Sequence, residues 1–313
     1  MNRIHAAASA MARTAVSDQR VSRLLCRFNR RSRIIMLHGL GAPDYPAAVF
    51  RAQLRFLSGV FRLVSLAQVL RTDDGGADSR PKLALTFDDG LRNNFTVAYP
   101  VLREFAAPAT FFVCPGLVTN RRWLWNHECR ARLARMPRSQ RLAFAGELGL
   151  ETEDIDVIVN VLKYLPNAQR LGKEERLRSL TPGFAPTDDE RERYELMTWA
   201  DLRELDSTLI DIGGHSSHHE ILTRVESAHL ESEIAGCKAW IEAELDRPAR
   251  HFCYPDGAYD SRVVDCVGRH FDAAVTTRKD WVPTHPARLT LPRIPVAENN
   301  IRDLAWRMHR PTG

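Results

Sequence analysis

The stretch LALTFDDG at residues 83–90 places two neighbouring carboxylates, Asp88 and Asp89, directly after an apolar run. Because LALTF is apolar on both alternating faces, it is typical of a parallel strand that helices cover on both sides. Two adjacent carboxylates at the end of such a strand are poorly solvated unless a cation or a proton offsets their charge. The stretch therefore predicts an α/β fold with a functional site at the end of this strand.

Similar apolar runs, rich in Val, Ile and Phe, recur along the chain between segments of helical period. The runs are RIIML (33–37), ATFFV (109–113), LIDIG (209–213), HFCYP (251–255), AAVTT (273–277) and, as a weaker candidate, LPRIPV (291–296). Residues 49–60 and 227–245 have helical spacing. This alternation of strands and helices predicts a parallel barrel or a doubly wound sheet.

The segment from about residue 120 to residue 195 interrupts this alternation. It is polar and charged, and patterns such as HECRARLARM and DIDVIVNVLKYL are helical, without a convincing strand. We therefore predict one barrel domain over residues 33–313, interrupted by a helical insertion at about 120–195 that lies over one end of the sheet.

Residues 1–32 form a basic N-terminal tail. Residues 1–33 hold eight of the chain's 44 basic residues, all of them arginines, and one of its 39 acidic residues, Asp18. The remaining body holds 36 basic and 38 acidic residues, so its formal charge is about −2 and the net +5 belongs to the tail. A body without a basic excess argues against nucleic acid as a partner.

The composition of the tail bears on location. An Arg-rich, acid-poor tail is typical of a transit peptide or of an arm held at an anionic membrane surface, and a mobile extension without a dedicated role explains it equally well. The tail lacks the apolar core of a secretory signal peptide, and no apolar run is long enough to span a bilayer. The six scattered cysteines indicate reduced thiols. The sequence thus predicts a cytoplasmic protein, peripheral to the inner membrane if the arm binds lipid.

The predicted strands end in residues that bind metals or move protons, and these are His38, Asp88, Asp89, His215 and Asp256. In parallel α/β folds the active site lies at the carboxyl ends of the strands. A single polar residue at such a position is commonplace. Several strands that each end in a carboxylate or an imidazole predict a shared metal site.

His215 and His219 lie four residues apart in GGHSSHHEIL. On a helical turn this spacing points both imidazoles the same way. Two imidazoles and one carboxylate suit Zn²⁺ first, and also Co, Ni or Mn, and they leave positions for water and substrate. An isolated HxxxH is more often a pair of surface histidines, but the neighbouring carboxylates favour the metal site.

Three motifs then occur in order: TFDDG (86–90), HSSHH (215–219) and FCYPDGAYD (252–260). They resemble the first three motifs of the NodB-like polysaccharide deacetylases, carbohydrate esterases with a NodB homology domain, the third motif in its FxYPxG variant. The resemblance covers about residues 33–118 and 196–300. It implies a distorted (β/α) barrel.

The resemblance also implies roles for the first two motifs. The first aspartate of TFDDG, Asp88, corresponds to the general base, and the second, Asp89, corresponds to a metal ligand. The paired histidines, His215 and His219, correspond to the other two ligands. One divalent metal ion, zinc by preference, is thus the implied cofactor.

The third motif implies the substrate-binding residues. A backbone N–H before its glycine helps to bind the oxyanion, which implies the amide of Asp256, with Tyr254 beside it in the same motif. Other branches of the family carry there an arginine that orients the base, but this chain has Cys253. Arg293, in LPRIP, is our candidate to replace it.

The general acid is the least obvious residue. Many relatives place it in a late Leu-x-His motif, which this chain lacks. Circularly permuted relatives carry the histidine on an early strand, and IIMLHG (34–39) resembles that arrangement, which implies His38. The alternatives are His285 and His309, or a structural role for His38 as a buried histidine at a strand end.

The resemblance implies a metal-dependent deacetylase that hydrolyses the N-acetyl group of an amino sugar in a polysaccharide or envelope glycan precursor and releases acetate. Its expected partner is an N-acetylated glycan or a lipid-linked sugar. Hydrolysis of another non-peptide C–N bond, in a cyclic amide or ureide, is the alternative. An inactive carbohydrate-binding module is disfavoured because the base and all three ligands are present. Trp123 and Trp125 either stack on a sugar or form the core of the insertion.

Overall fold

The computed structural model describes residues 10–41, 45–71, 78–296 and 300–311. Within these ranges eight strands form one sheet, and every pairing between them is parallel. The strands are β1 (Arg33–Leu37), β2 (Arg62–Leu63), β3 (Lys82–Phe87), β4 (Ala109–Val113), β5 (Ile210–Gly214), β6 (His251–Cys253), β7 (Ala273–Val275) and β8 (Ile294–Pro295). Their order is β7-β6-β5-β4-β3-β1-β8, with β2 also paired to β3. The two-residue β2 is too short to give a sequence pattern.

The sheet curls until its two ends meet. Val275, the last residue of β7, forms a parallel bridge with Leu291, and three residues after Leu291, Ile294 pairs with Ile35 of β1. The segment that contains β8 therefore contacts both β7 and β1. The predicted distorted (β/α) barrel is confirmed.

Helices surround the sheet. They are α1 (Gln19–Phe28), α2 (Ala47–Val60), α3 (Leu66–Val69), α4 (Tyr99–Glu104), α5 (Pro115–Thr119), α6 (Trp125–Arg135), α7 (Arg138–Gly146), α8 (Ile155–Tyr164), α9 (Asn167–Leu180), α10 (Asp188–Tyr194), α11 (Trp199–Glu204), α12 (Ser227–Leu245), α13 (Ser261–His270) and α14 (Ile301–His309). A π-helical turn at Asn94–Ala98 precedes α4. None of the helices in the described ranges combines the length and the apolar character needed to cross a bilayer.

Alternate residues of each strand enter two different cores, as expected for a sheet that is covered on both faces. Leu85 and Phe87 of β3 pack outward with helical residues such as Phe50 of α2. Ile34 and Ala84 point into the barrel. Because side chains alternate along a strand, residues 38 and 88 continue the inward rows of residues 34 and 84.

The segment between α5 and α11 contains five helices, α6 to α10, and no strand over residues 120–195, all of which the structure describes. Helices α6 to α9 share a core of their own, which is separate from both barrel cores and includes Trp125, Phe144, Ile158, Leu162 and Leu177.

The basic segment at the N-terminus is folded over its described part. Residues 10–16 are helical, and α1 follows. Arg13 forms an ion pair with Asp303 of α14 at 2.8 Å, and Gln19 Nε2 donates to the Arg55 carbonyl of α2 at 3.0 Å. The interpretation of this segment as a mobile extension is therefore wrong for residues 10–28, because these contacts attach it to the barrel. Residues 1–9 lie outside the described residues.

Candidate active site

The strand ends bring the motif residues to one edge of the sheet. The Asp88 N–H donates to the Leu37 carbonyl and the His215 N–H donates to the Val113 carbonyl, both at 2.9 Å. These bonds continue the pairing of β1 with β3 and of β4 with β5 beyond the ends of the strands. His38 follows β1 directly, so it emerges beside Asp88.

Asp89, His215 and His219 converge on one point. Asp89 Oδ1 lies 3.5 Å from His215 Nε2 and 3.3 Å from His219 Nε2. His215 Nδ1 donates to the Cys253 carbonyl at 2.7 Å, which orients the ring so that Nε2 is directed at Asp89. Burial opposes ionisation of Asp89, but hydrogen bonds from the two histidines hold the pKa of its carboxyl well below the usual value. The three side chains fit a small divalent cation.

The two histidines meet in a way that the sequence does not predict. HSSHH forms an irregular loop after β5, and both Ser216 (φ 55°) and His219 (φ 57°) have left-handed backbone conformations. The prediction that a helical turn aligns the imidazoles is therefore wrong. Ser216 Oγ accepts a bond from the Glu220 N–H at 3.0 Å and so holds the loop in its turn. His218 is directed elsewhere, with Nδ1 2.7 Å from Glu233 Oε1.

A second group of possible ligands, Asp88, His215 and Cys253, lies nearby. It fits a metal poorly. Both oxygens of Asp88 accept bonds from Arg293. Burial raises the pKa of the Cys253 thiol and keeps it protonated, whereas a metal ligand must be a thiolate. The set formed by Asp89, His215 and His219 is the better candidate metal site.

Arg293 holds Asp88 in a bidentate ion pair. Its Nη1 donates to Oδ1 at 2.6 Å and its Nη2 donates to Oδ2 at 2.7 Å, and the guanidinium is fully buried. Burial opposes ionisation of Asp88, but the charge and hydrogen bonds of Arg293 more than offset it, so the pKa of the carboxyl is lowered. Bonds to Thr86 Oγ1 at 3.0 Å and to the Thr276 carbonyl at 2.9 Å fix the guanidinium itself. The small side chain of Cys253 contacts Nη2 at 3.2 Å and leaves room for this arginine.

The three candidate histidines for the general acid occupy different places. His38 lines the same cavities as Asp89. His285 lies between Thr284 and Pro286, which line a groove at the end of the barrel where the strands begin. His309 of α14 is half-buried against α1, where its Nε2 lies 2.9 Å from Ser22 Oγ. Of the three, only His38 lines a cavity with the motif residues.

The third motif turns sharply after β6. Pro255–Gly257 forms a single 3₁₀ turn, in which Asp256 has a left-handed φ of 58°. Because the first N–H groups of a helical turn have no partner within the turn, the Asp256 amide is available to a ligand. Its carboxylate forms an ion pair with Lys163 of α8. The Tyr254 hydroxyl donates to the Leu289 carbonyl at 2.9 Å, so it is committed to the fold.

Two adjoining cavities open at this edge. One, of about 310 Å³, is lined by Asp88, His215, His219 and Asp256 together with residues of α6 and α8. The other, of about 370 Å³, runs beside it toward α10. The two cavities share His38, Asp89 and His127. The candidate catalytic residues therefore lie between two binding spaces.

Sequence reasoning missed the polar contribution of α6. Trp125, Asn126 and His127 all line the 310 Å³ cavity. Each has a buried polar atom without a hydrogen-bond partner among the described residues: Trp125 Nε1, Asn126 Oδ1 and His127 Nδ1. Burial lowers the pKa of His127 to about 4, so its imidazole is neutral at pH 7. Trp123, by contrast, packs edge-on against Phe184 and Tyr194 within the segment.

A buried arginine connects the same helices to the HSSHH loop. Arg170 of α9 forms ion pairs with Glu174 and with Glu220, the residue after His219, and all three side chains are buried. Its guanidinium also lies 4.8 Å from the Trp125 ring centroid. Arg170 thus couples the position of α6 and α9 to that of the loop that carries His219.

The chain is similar to known proteins both in sequence and in fold. The family model for polysaccharide deacetylases matches residues 75–270. No curated protein sequence matches the chain. The deacetylase PplD of Streptococcus pyogenes, solved with acetate, is similar with a TM-score of 0.59 at 17% identity, over 89% of this chain and 98% of that one. IcaB of Ammonifex degensii is similar with a TM-score of 0.58 at 14% identity, over 89% of this chain and 97% of that one. A polysaccharide deacetylase of Bacillus cereus is similar with a TM-score of 0.56 at 17% identity, over 88% of this chain and 68% of that one.

At these identities the solved structures show a shared fold. The family match goes further, because it covers more than half of the 313 residues and includes Asp88, Asp89, His215 and His219. The chain belongs to the polysaccharide deacetylase family.

Proposed function

We propose that this hydrolase removes the N-acetyl group of an amino sugar within a glycan chain and releases acetate. One observation carries the proposal. The carboxylate of Asp88, which the buried Arg293 holds in place, lines the same cavity as a separate set of three side chains that could bind a metal ion. Amide hydrolysis needs both, because the carbonyl is a poor electrophile and the attacking water is a weak nucleophile.

Asp89, His215 and His219 would hold one divalent cation, for which two imidazoles and a carboxylate favour zinc, with Co, Ni or Mn as alternatives. When bound, such an ion polarises the acetyl carbonyl and lowers the pKa of water. The other steps belong to side chains and backbone of this chain.

Asp88 accepts the proton of the attacking water, and Arg293 keeps the carboxylate ionised and oriented for that transfer. The Asp256 amide donates to the carbonyl oxygen as it becomes an oxyanion, a type of contact typically worth about 10²–10³ in rate. His38 donates a proton to the departing sugar nitrogen as the C–N bond breaks. Tyr254 supports the loop through its bond to Leu289.

A sugar chain is the substrate that the two cavities favour. They extend to either side of His38 and Asp89, so sugars that flank the reacting residue have space in both. The buried polar atoms of Trp125, Asn126 and His127 suit the hydroxyl groups of a sugar. A lipid-linked sugar, and peripheral contact with an anionic membrane through the arginines of segment 1–32, belong to the same proposal.

The reaction is tested by acetate release. The purified protein should release acetate from N-acetylglucosamine oligomers and leave a free amine on the sugar, with little action on the monomer because a monomer fills only part of the paired cavities. Cyclic amides and ureides serve as the comparison. Ring opening of those compounds without acetate release from any N-acetylated oligomer would replace this proposal by the alternative C–N hydrolase.

The assignment of the general acid makes a second prediction. His38→Ala should lower kcat on an N-acetylated oligomer by about 10²-fold or more, with little change in KM, because leaving-group protonation acts only after substrate has bound. The loss should be smaller for an activated aryl acetate ester, whose leaving group needs no proton. The matched control is His285→Ala, because His285 is an exposed histidine outside the two cavities and its loss should leave kcat unchanged. Near wild-type turnover by His38→Ala would exclude the assignment.

A further inference from the structure

Helix α1 exposes an apolar face. Val21, Leu24, Leu25 and Phe28 are 36%, 52%, 37% and 84% exposed. Their spacing of i, i+3, i+4 and i+7 places them on one side of the helix. An apolar row of this kind normally faces a core, so its exposure here calls for a partner.

The opposite side of α1 is attached to the barrel. Ser22 and Cys26 are its buried residues, and Arg23 Nε donates to the Gly59 carbonyl at the end of α2. At 100° per residue these two buried positions lie about 130° around the helix from the middle of the apolar row. The row therefore faces outward from a helix that is already docked, and it has no part in either barrel core.

Positive charge lies along one flank of the same row. Arg20, Arg23 and Arg27 are exposed, and α1 contains no acidic residue. Each is within one turn of an exposed apolar side chain. A helix with apolar side chains beside arginines is typical of segments that lie in the interface of an anionic bilayer.

A basic groove continues this surface past the end of α1. Its volume is about 430 Å³, and Phe28 forms part of its wall. Its cationic lining residues are Arg30, Arg31, Arg71, Arg80 and Lys82. Asp78 is paired with Arg80 at 2.7 Å, and Arg30, Arg31 and Arg71 add further positive charge to the lining of the groove.

We propose that the apolar row of α1 inserts into an anionic bilayer, with the flanking arginines and the basic groove contacting lipid phosphates. This membrane contact is independent of the deacetylase reaction, and it depends on the folded apolar surface of α1 as well as on the arginine charge proposed above for segment 1–32. A second copy of the chain is a poorer partner, because symmetric pairing of two such helices would bring arginine flanks and basic grooves together. An anionic lipid surface can bury the apolar row among its acyl chains and pair its phosphates with the arginines.

The surface is remote from the catalytic residues. The groove includes Ser32 and Lys82, where β1 and β3 begin, whereas His38 and Asp88 follow the ends of those strands. Parallel strands place these positions at opposite ends of the barrel. A docked molecule therefore keeps its catalytic cavities open to glycans.

The experiment measures co-sedimentation of the full-length protein with vesicles. Wild type should bind vesicles that contain phosphatidylglycerol and bind pure phosphatidylcholine vesicles far less. The double variant Leu24→Ser/Phe28→Ser should bind about tenfold or more weakly, since two large apolar side chains leave the bilayer interior. Leu171→Ser, on α9 and similarly exposed at 45%, is the matched control and should bind as wild type does.

Arg20→Gln/Arg27→Gln should remove the preference for anionic vesicles. Equal binding of wild type and the Leu24/Phe28 variant, or absence of wild-type binding to anionic vesicles, would overturn the proposal. The proposal would also be overturned if the wild type were a dimer, the Leu24/Phe28 variant a monomer, and neither protein bound lipid. Acetate release from a soluble oligomer, measured on the same samples, should be unchanged in every variant, which separates this proposal from the deacetylase assignment.

Discussion

Asp88→Asn should lower kcat by about 10²–10⁴-fold while the protein keeps its metal. The amide cannot accept the proton of water, but it has nearly the shape of the carboxylate, and the set formed by Asp89, His215 and His219 is untouched. Acetate release and metal content, measured on the same preparation, separate the two effects. The variant should also be less stable, because a fully buried Arg293 loses its counter-ion, a loss of about 3–5 kcal/mol in comparable pairs.

The control for this substitution is Asp89→Asn. It should lose metal affinity, because Asp89 Oδ1 faces both imidazoles. The assignment predicts opposite results for two neighbouring residues in the same motif. If Asp88→Asn loses the metal and Asp89→Asn retains it, the two aspartates have the reverse roles.

Asp89→Ala and His215→Ala should each reduce the metal content from about one equivalent to nearly none and abolish acetate release. Each change leaves only two of three protein ligands, and three is the usual number for a catalytic zinc. Elemental analysis after gel filtration checks the content, and thermal unfolding with and without added Zn²⁺ gives a second readout, since a metal that binds the native state raises its stability.

His218→Ala provides the matched control. This histidine lies in the same HSSHH loop but contacts Glu233, so its loss should leave the metal content unchanged. An undiminished metal content in both Asp89→Ala and His215→Ala would exclude the proposed ligand set. A loss in His218→Ala equal to that in His215→Ala would show that disruption of the loop, and not ligand removal, causes the effect.

The sequence predicts the barrel well because its strands are short, apolar and buried on both faces. LALTF and ATFFV can hardly form anything but interior strands of a covered sheet, and residues that end parallel strands meet at one edge. That rule alone places His38 at the same end of the barrel as Asp88, and the pairing of β1 with β3 in the structure brings the two side by side. The rule needs only the strand and its direction, both of which are local properties.

The parts that the sequence does not predict depend on contacts between distant segments. The HSSHH loop contains two residues in the left-handed conformation, which the amino-acid types do not specify, and the HxxxH spacing by itself predicts a helix. The sequence WNH at 125–127 has no pattern that indicates a functional site, and only the packing of α6 over the barrel places these residues at the cavity. Helix α1 has the composition of a free arm, and only its fit against α2 and α14 shows that it is attached.

The closure of the barrel by β8 has a consequence for folding. Residues 75–270, the range that the family model matches, include neither β1 nor Arg293. A fragment cut to that range would leave the pairing edge of β3 open, and exposed strand edges favour aggregation. During synthesis from the N-terminus, Asp88 emerges 205 residues before the arginine that neutralises it. In the proposed mechanism, the site around Asp88 is therefore completed last, when the segment that carries Arg293 and β8 docks against β1.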